Sequence, residues 1–508
     1  METSNIDCPE EKWLAMANNR SKLFIRRVKK ALHILQSKGP KEFVLRVRDF
    51  ILQRMRADRT ARPRQTLEYD TVPLLIKGQS TESGTIPSVM QRLKTQVLSP
   101  PARWQEPVSP VFRGRTIDAQ TLSTALEQLI TQEFALAVTR DDYTKVVGGV
   151  QLKVADQQTE MNQVGRAYLH LSPYFVRETL DFSGQPGVMR VTLDGQFLGY
   201  ADDETFLTVL EKLVEAGTLR SVQLHHLMGW KLEYISQILN LTGDAPVNFW
   251  LHDFFPICPN YVLLRNDREY CHAPHPNSNA CNLCIYGTIR PLHYQAFIDL
   301  FERYPIRVVA PSEFALEFWH QKFPVFAGES QVVPNASLEW GEHLQKPEPD
   351  RPLRVAFVGY PVLHKGWQAW LNLTDKFGKD PRYKFFHFSL DWQRSSNFEK
   401  ISVAVNRQNR TAMTDALREN EIDIAFLWSI CPETFSYTLY ESLAAGCLIV
   451  TNPDSGNIQA VIRENSQWGV IFTDVDELLQ AFRDGSVAKT FEHFNLNYRQ
   501  IGKVLISR

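Results

Sequence analysis

The chain has 508 residues, 44% of them hydrophobic and 22% charged, which is enough to bury several cores, so two or three domains are expected. A formal net charge of −1 gives no global electrostatic reason to bind nucleic acid. No apolar stretch reaches the roughly 20 residues needed to span a bilayer. The opening "METSNIDCPEEKW" lacks the apolar core of a signal peptide, so a cytoplasmic location is expected.

Residues 20–64 read as two amphipathic helices broken at Gly39-Pro40, with Lys and Arg in excess over acids. Such an arm either contacts an anionic membrane surface or packs as a solvated spacer on a neighbouring domain. Residues 65–110, with "QSTESGTIPS" and "LSPPARWQEPVSP", are rich in Pro and Ser and read as a linker.

From about residue 130 short apolar runs alternate with helical stretches, the pattern of α/β units around a mostly parallel sheet. "GRAYLHLSPY", "SVQLHHLMGW", "VNFWLHDFF" and "IRVVAPSEF" read as buried strands running into loops. A second set follows the polar "LQKPEPDRP": "LRVAFVGYP", "KFFHFSLDW", "DIAFLWSI", "CLIVTNPD" and "WGVIFTD". Two such sets predict two Rossmann-like domains facing a cleft, with ligands at the carboxyl ends of the strands.

The chemistry-bearing residues fall at those ends. After "LRVAFVG", Gly359 lets the chain turn close to a ligand, and Lys365 stands just before a helix, where its charge and the free N–H groups suit a diphosphate. "YTLYESLAAG" predicts a helix ending at Gly446, preceded by a loop carrying Glu433. The loop's N–H groups at Thr434, Phe435 and Ser436 are placed to receive phosphate oxygens, and Glu441 to accept hydrogen bonds from ribose hydroxyls. Taken on charge alone, acids favouring a positive helix end are the more frequent explanation of the two glutamates, and the combination with Lys365 shifts the balance.

Gly359, Lys365-Gly366, the E-x(7)-E pair Glu433 and Glu441, "SLAAGCLIVT" and "SGN" together resemble the donor half of a retaining GT-B glycosyltransferase. The family in question is the large one that includes many bacterial mannosyl- and glucosyltransferases. "YTKVVGGVQLKV" resembles its glycine-rich N-terminal loop, and "APSEF" with "VVPNAS" its domain-connecting segments, so the resemblance spans roughly residues 140–485. It implies the following domains: a basic helical arm and linker over 1–112, an acceptor domain over 113–340 with a Cys-rich insertion at 252–287, a nucleotide-sugar domain over 351–485, and a C-terminal helix over 486–508 packing back across them. It further implies that Lys365 binds the donor diphosphate, Glu441 the ribose and Glu433 the sugar near its reacting carbon, while Gly148 and Gly149 allow close approach to the donor. A strand-end histidine near the sugar is also implied; His225, His226 and His252 are the candidates, and His226 is favoured. Where the family has arginine after the glycine, this chain has Tyr360, so Arg394 is expected to replace the lost phosphate donor, with Arg407 and His364 as the alternatives.

The implied activity moves a sugar from a nucleotide-sugar to a glycan or lipid-linked acceptor with retention of anomeric configuration, in bacterial surface polysaccharide or lipopolysaccharide synthesis. It needs no catalytic metal, because Lys365 and helix N-termini can stabilise the departing diphosphate. A catalytically inactive GT-B-like module that binds a glycan or holds an assembly together is the alternative.

The segment from "HDFF" to "CIYG" is a separate signal. Cys281 and Cys284 have the CxxC spacing that grips one tetrahedral ion, and Cys258 and Cys271 would complete a structural zinc site, His272 or His275 being substitutes. Free packed thiols are the other reading. A zinc-containing nucleic-acid binder is disfavoured by the near-zero net charge.

Overall fold

The computed structural model describes residues 112, 114–146, 148–175, 177–323, 329–343, 351–390 and 395–506. The basic arm at 20–64, the Pro- and Ser-rich stretch and Arg394 lie outside the described residues.

The first half is built on an eight-stranded sheet. Its strands are β1 (Phe134–Val138), β2 (Ala167–Pro173), β3 (Val188–Leu193), β4 (Gln196–Asp202), β5 (Leu219–Leu224), β6 (Val247–Trp250), β9 (Ile306–Ala310) and β10 (Ser330–Val332). A hairpin in the Cys-rich insertion supplies β7 (Leu264–Arg265) and β8 (Glu269–Tyr270). The order is β10-β9-β6-β5-β1-β2-β3-β4, parallel from β10 to β2 and antiparallel beyond. Strand β1, "FALAV", is buried on both faces, which is why it reads as an unbroken apolar run without alternation.

The second half carries β12 (Leu353–Val358), β13 (Tyr383–Phe388), β14 (Glu399–Ile401), β15 (Ile424–Phe426), β16 (Leu448–Thr451) and β17 (Gly469–Ile471). These form a parallel sheet ordered β14-β13-β12-β15-β16-β17, the doubly wound Rossmann order. Separate apolar clusters cover its two faces, one centred on Trp370, Phe385, Phe426 and Phe482, the other on Phe386, Leu417, Leu439 and Ile462. Two Rossmann-like halves facing a cleft make this the GT-B architecture.

The strand order explains where the functional loops meet. In the second sheet the order reverses between β12 and β15, and in the first between β1 and β5. A crevice opens at such a switch point because the adjoining loops turn to opposite sides.

The tail departs from expectation. After a helix at Ser486–Asn497 the chain forms β18 (Gln500–Ile506), antiparallel to β11 (Ala336–His343). Its β-branched residues suit an edge pair better than a continued helix, and Arg499 anchors the turn by bonding Asp423, Gly446 O and Ile422 O. Among the described residues no helix is long and apolar enough to cross a membrane.

Candidate functional site

Lys365 ends a 3-10 turn, Leu363–Lys365, that follows β12, and Gly366 then starts the helix Trp367–Phe377. Gly366 has φ 83°, and a Cβ there would lie 2.0 Å from Trp428 O, so only glycine permits this turn. Glu433 sits in the loop between β15 and the helix Tyr437–Ala444. That loop is fixed by its neighbour: Asn457 N–H donates to Glu433 O at 2.9 Å, and a Cβ on Gly456 would come within 2.4 Å of Glu433 N. The two loops therefore bring Lys365 Nζ to 2.7 Å from Glu433 Oε2.

This ion pair lies in the wall of a cavity of about 320 Å³ between the halves, which Gly149, His252, Asp253 and Thr434 also line. Gly148 caps the helix Gly149–Gln163, whose start approaches the second half so closely that a Cβ on Gly149 would be 3.4 Å from the Tyr437 ring. Ser312 Oγ donates to Thr434 O at 2.7 Å and Thr434 Oγ1 donates to His252 O at 2.6 Å, so the halves are directly bonded beside the cavity. Among the described residues the backbone N–H groups of Thr434, Phe435 and Ser436 have no backbone acceptor. They stand at the positive end of the helix Tyr437–Ala444, a suitable receptor for anionic oxygen. The Phe435 ring stacks on Tyr440 at 4.8 Å, which holds this turn rigid.

Glu441 is buried on that helix, and burial pushes its carboxyl up to about 7, with Arg410 partly offsetting the shift. Arg410 in turn bonds Asp156 of the first half. Gly359 has φ 120° with open space around the position of a Cβ, and its carbonyl faces His387 Nε2 at 3.0 Å.

One expectation is corrected. His226, favoured for the cleft, is only 3% exposed and does not line the cavity. Met228 N–H donates to its Nδ1, so Nε2 carries the hydrogen and donates to Asp253 Oδ2 at 2.9 Å. The histidine in the wall is His252, bonded at 2.9 Å to His225, and burial lowers it to about 3, so it is neutral. Arg394, expected to replace the arginine absent at Tyr360, lies outside the described residues, and its two alternatives are placed as follows. Burial, then Lys365, lowers His364 to about 4, so it adds no cation, and Arg407 stands over the Tyr143 ring at 5.3 Å. Tyr360 itself is 47% exposed.

The four cysteines proposed as zinc ligands are brought together. Cys258, Cys271, Cys281 and Cys284 line one small cavity, but among the described residues no three His, Cys, Asp or Glu side chains are grouped to hold a metal ion. The Arg290 guanidinium lines the same cavity and donates to Cys281 Sγ at 2.5 Å. Burial raises the Cys258 thiol to about 12.

Asp253 escaped the sequence reading, although "LHDFF" contains it at the end of β6. Burial opposes its charge, but His226 and Phe255 N–H outweigh that effect and hold it below the usual carboxylate range. Asp253 lines the same cavity as Glu433.

No family model matches the chain, and no curated protein matches it. Among solved structures it is similar to sucrose-phosphate synthase from Thermosynechococcus elongatus, at 13% identity over 72% of this chain and 93% of that one, with a TM-score of 0.43. A glycosyltransferase from Rickettsia africae is similar at 11% identity, covering 72% and 94% of the two chains, with a TM-score of 0.42. Anabaena HepE in complex with UDP is similar at 12% identity over 72% and 93%, with a TM-score of 0.41.

Proposed function

We propose that this protein is a glycosyltransferase that moves a sugar from a nucleotide-sugar donor to a glycan or lipid-linked acceptor, retaining the anomeric configuration, in bacterial surface polysaccharide synthesis. One observation carries the reading. Lys365 and Glu433 come from loops at a topological switch point and meet in the wall of a cavity between two Rossmann-like halves. In this reading Lys365 and the N–H groups at 434–436 bind the diphosphate, and Glu441 takes the ribose. Glu433 orients the sugar and opposes positive charge at its reacting carbon. Asp253, held by His226, faces the acceptor hydroxyl.

As the glycosidic bond to the leaving phosphate breaks, negative charge grows on the diphosphate, where Lys365 and the helix N-terminus are already placed. A departing phosphate oxygen takes the acceptor's proton on the same face, so the new bond forms with retention. The scheme calls for no metal. The protein would work on the cytoplasmic side, with the basic segment 20–64 at the inner membrane face.

Calorimetric titration of UDP, GDP, dTDP, ADP and CDP tests this reading. One nucleotide should bind selectively, and Lys365→Ala and Glu441→Ala should each weaken it by about tenfold or more, since a charge-assisted hydrogen bond is worth about 1.5–3 kcal/mol. Absence of binding by every nucleotide to folded protein would leave the inactive, glycan-binding module, a reading that the exposed Tyr360 favours.

A further inference from the structure

The Cys-rich insertion shapes the cleft directly. Its Tyr261 and Val262 wall both the cleft cavity and a second cavity of about 180 Å³, whose other sides include Arg140, Glu178, Met228 and Tyr286. The two spaces therefore adjoin across Tyr261 and Val262. Arg177 and Gly229, the chain neighbours of Glu178 and Met228, line a third cavity of about 250 Å³. All three lie along one edge of the first sheet, because Arg140 follows β1, Arg177 and Glu178 follow β2, and Met228 and Gly229 follow β5. Cavities spread along one sheet edge beside a reacting centre suit an elongated ligand.

Charge then selects the ligand's chemistry. Arg140 lies 3.4 Å from Asp141, Arg177 lies 3.4 Å from Asp181, and Lys231 lies 3.9 Å from Asp203. Each cation of the two outer cavities is thus already matched by a carboxylate, and a phosphate entering there would have to compete with that partner. A neutral polyol can instead hydrogen-bond to both members of such a pair. Tyr261 and Tyr286 add flat apolar faces with polar edges, which suit the alternating C–H and O–H faces of a sugar. The wall is pre-organised: the Tyr286 hydroxyl donates to Asp267, and Asn260 Nδ2 donates to Asp267 at 3.0 Å and to Leu264 O at 2.7 Å. Behind it, Arg290 ties Ile257 O to Cys281.

We infer that this insertion builds an acceptor subsite. The cavity at Tyr261 and Tyr286 seats the neutral sugar next to the one receiving the new bond, and the cavity at Arg177 and Gly229 seats the sugar beyond it. The substrate is then an uncharged oligosaccharide that the enzyme extends. This rests on the glycosyl-transfer reading above.

Ligand-observed saturation-transfer NMR tests the inference on the full chain with the nucleotide found by calorimetry present. The probes are methyl glycosides of glucose, mannose and galactose and their linear di- and trisaccharides. At least one trisaccharide should bind tenfold or more tighter than its methyl monosaccharide. Glu178→Trp, which fills the second cavity from an exposed position, should remove that advantage, as should Arg140→Ala. Nucleotide affinity, read separately, reports whether the donor side of each variant is intact. Equal affinity across chain lengths, binding by no member of the panel, or tight binding only when the sugars carry phosphate would overturn the inference. Failure of every nucleotide to bind would instead remove the glycosyl-transfer reading, and the chain-length comparison would still be measured without nucleotide.

Discussion

At the scale of single residues, Glu441 shows how burial sets a chemical property that its position in the sequence leaves open. The E-x(7)-E spacing marks Glu441 as a partner of Glu433, yet the two carboxyls sit in different surroundings: Glu433 pairs with Lys365, while Glu441 is buried and raised to about 7. The folded protein binds the Glu441 proton more tightly than the unfolded chain does. Stability contributed by this group is therefore present below the ordinary value of 4.5 and is lost as pH rises toward about 7. Glu441→Gln should flatten that slope, changing the wild-type-minus-variant unfolding free energy by up to about 3 kcal/mol between pH 4.5 and 7.5, at about 1.4 kcal/mol per unit. Urea melts across that range measure it. Nucleotide affinity should also rise with pH through this window, since a ribose diol prefers the ionised carboxylate, and the rise should be absent in Glu441→Gln.

Among the elements, the turn from β12 into the helix Trp367–Phe377 carries most of the positioning. "HKGW" shows a lysine and a glycine, which suffices to suggest a loop. That the glycine is obligatory follows from φ 83° together with Trp428 O, a carbonyl beyond β15 that no local rule brings near. Gly366→Ala should cost about 1–3 kcal/mol from backbone strain alone, and more from the clash. It should also displace Lys365 from Glu433. Thermal melting and nucleotide titration of the variant check the two effects together; an unchanged melting temperature would show that the turn relaxes.

Taken whole, the molecule depends on contacts between segments far apart in the chain. Strand β18 pairs with β11 across more than 150 residues, and Arg418 donates to Gly502 O from the second half. Residues 500–506 are thus part of the fold. Deleting them should expose the β11 edge and lower the melting temperature by several degrees, with unpaired strand groups each costing on the order of 1 kcal/mol. A truncated protein that melts with wild-type cooperativity at the wild-type temperature would contradict this.

Periodicity made much of the architecture legible. Buried parallel strands are continuous apolar runs, and glycine, lysine and glutamate at their ends mark ligand-binding turns, so the two Rossmann-like halves and the loops carrying Lys365 and Glu433 could be read locally. The β3–β4 hairpin and the β11–β18 pair were missed because these antiparallel strands interleave polar with apolar residues and pairing is a long-range choice, and the apolar run of β1 was passed over. Which neighbour a side chain finds could not be read in this way. His226 turning inward to hold Asp253, Arg290 donating to Cys281 and the joint wall at Tyr261 each join residues whose proximity depends on how strands and insertion pack. By itself the sequence determined the two sheets and the residue types at their ends. The tertiary structure alone decided which of those residues face the cleft, because burial and hydrogen-bond direction depend on partners distant in the chain.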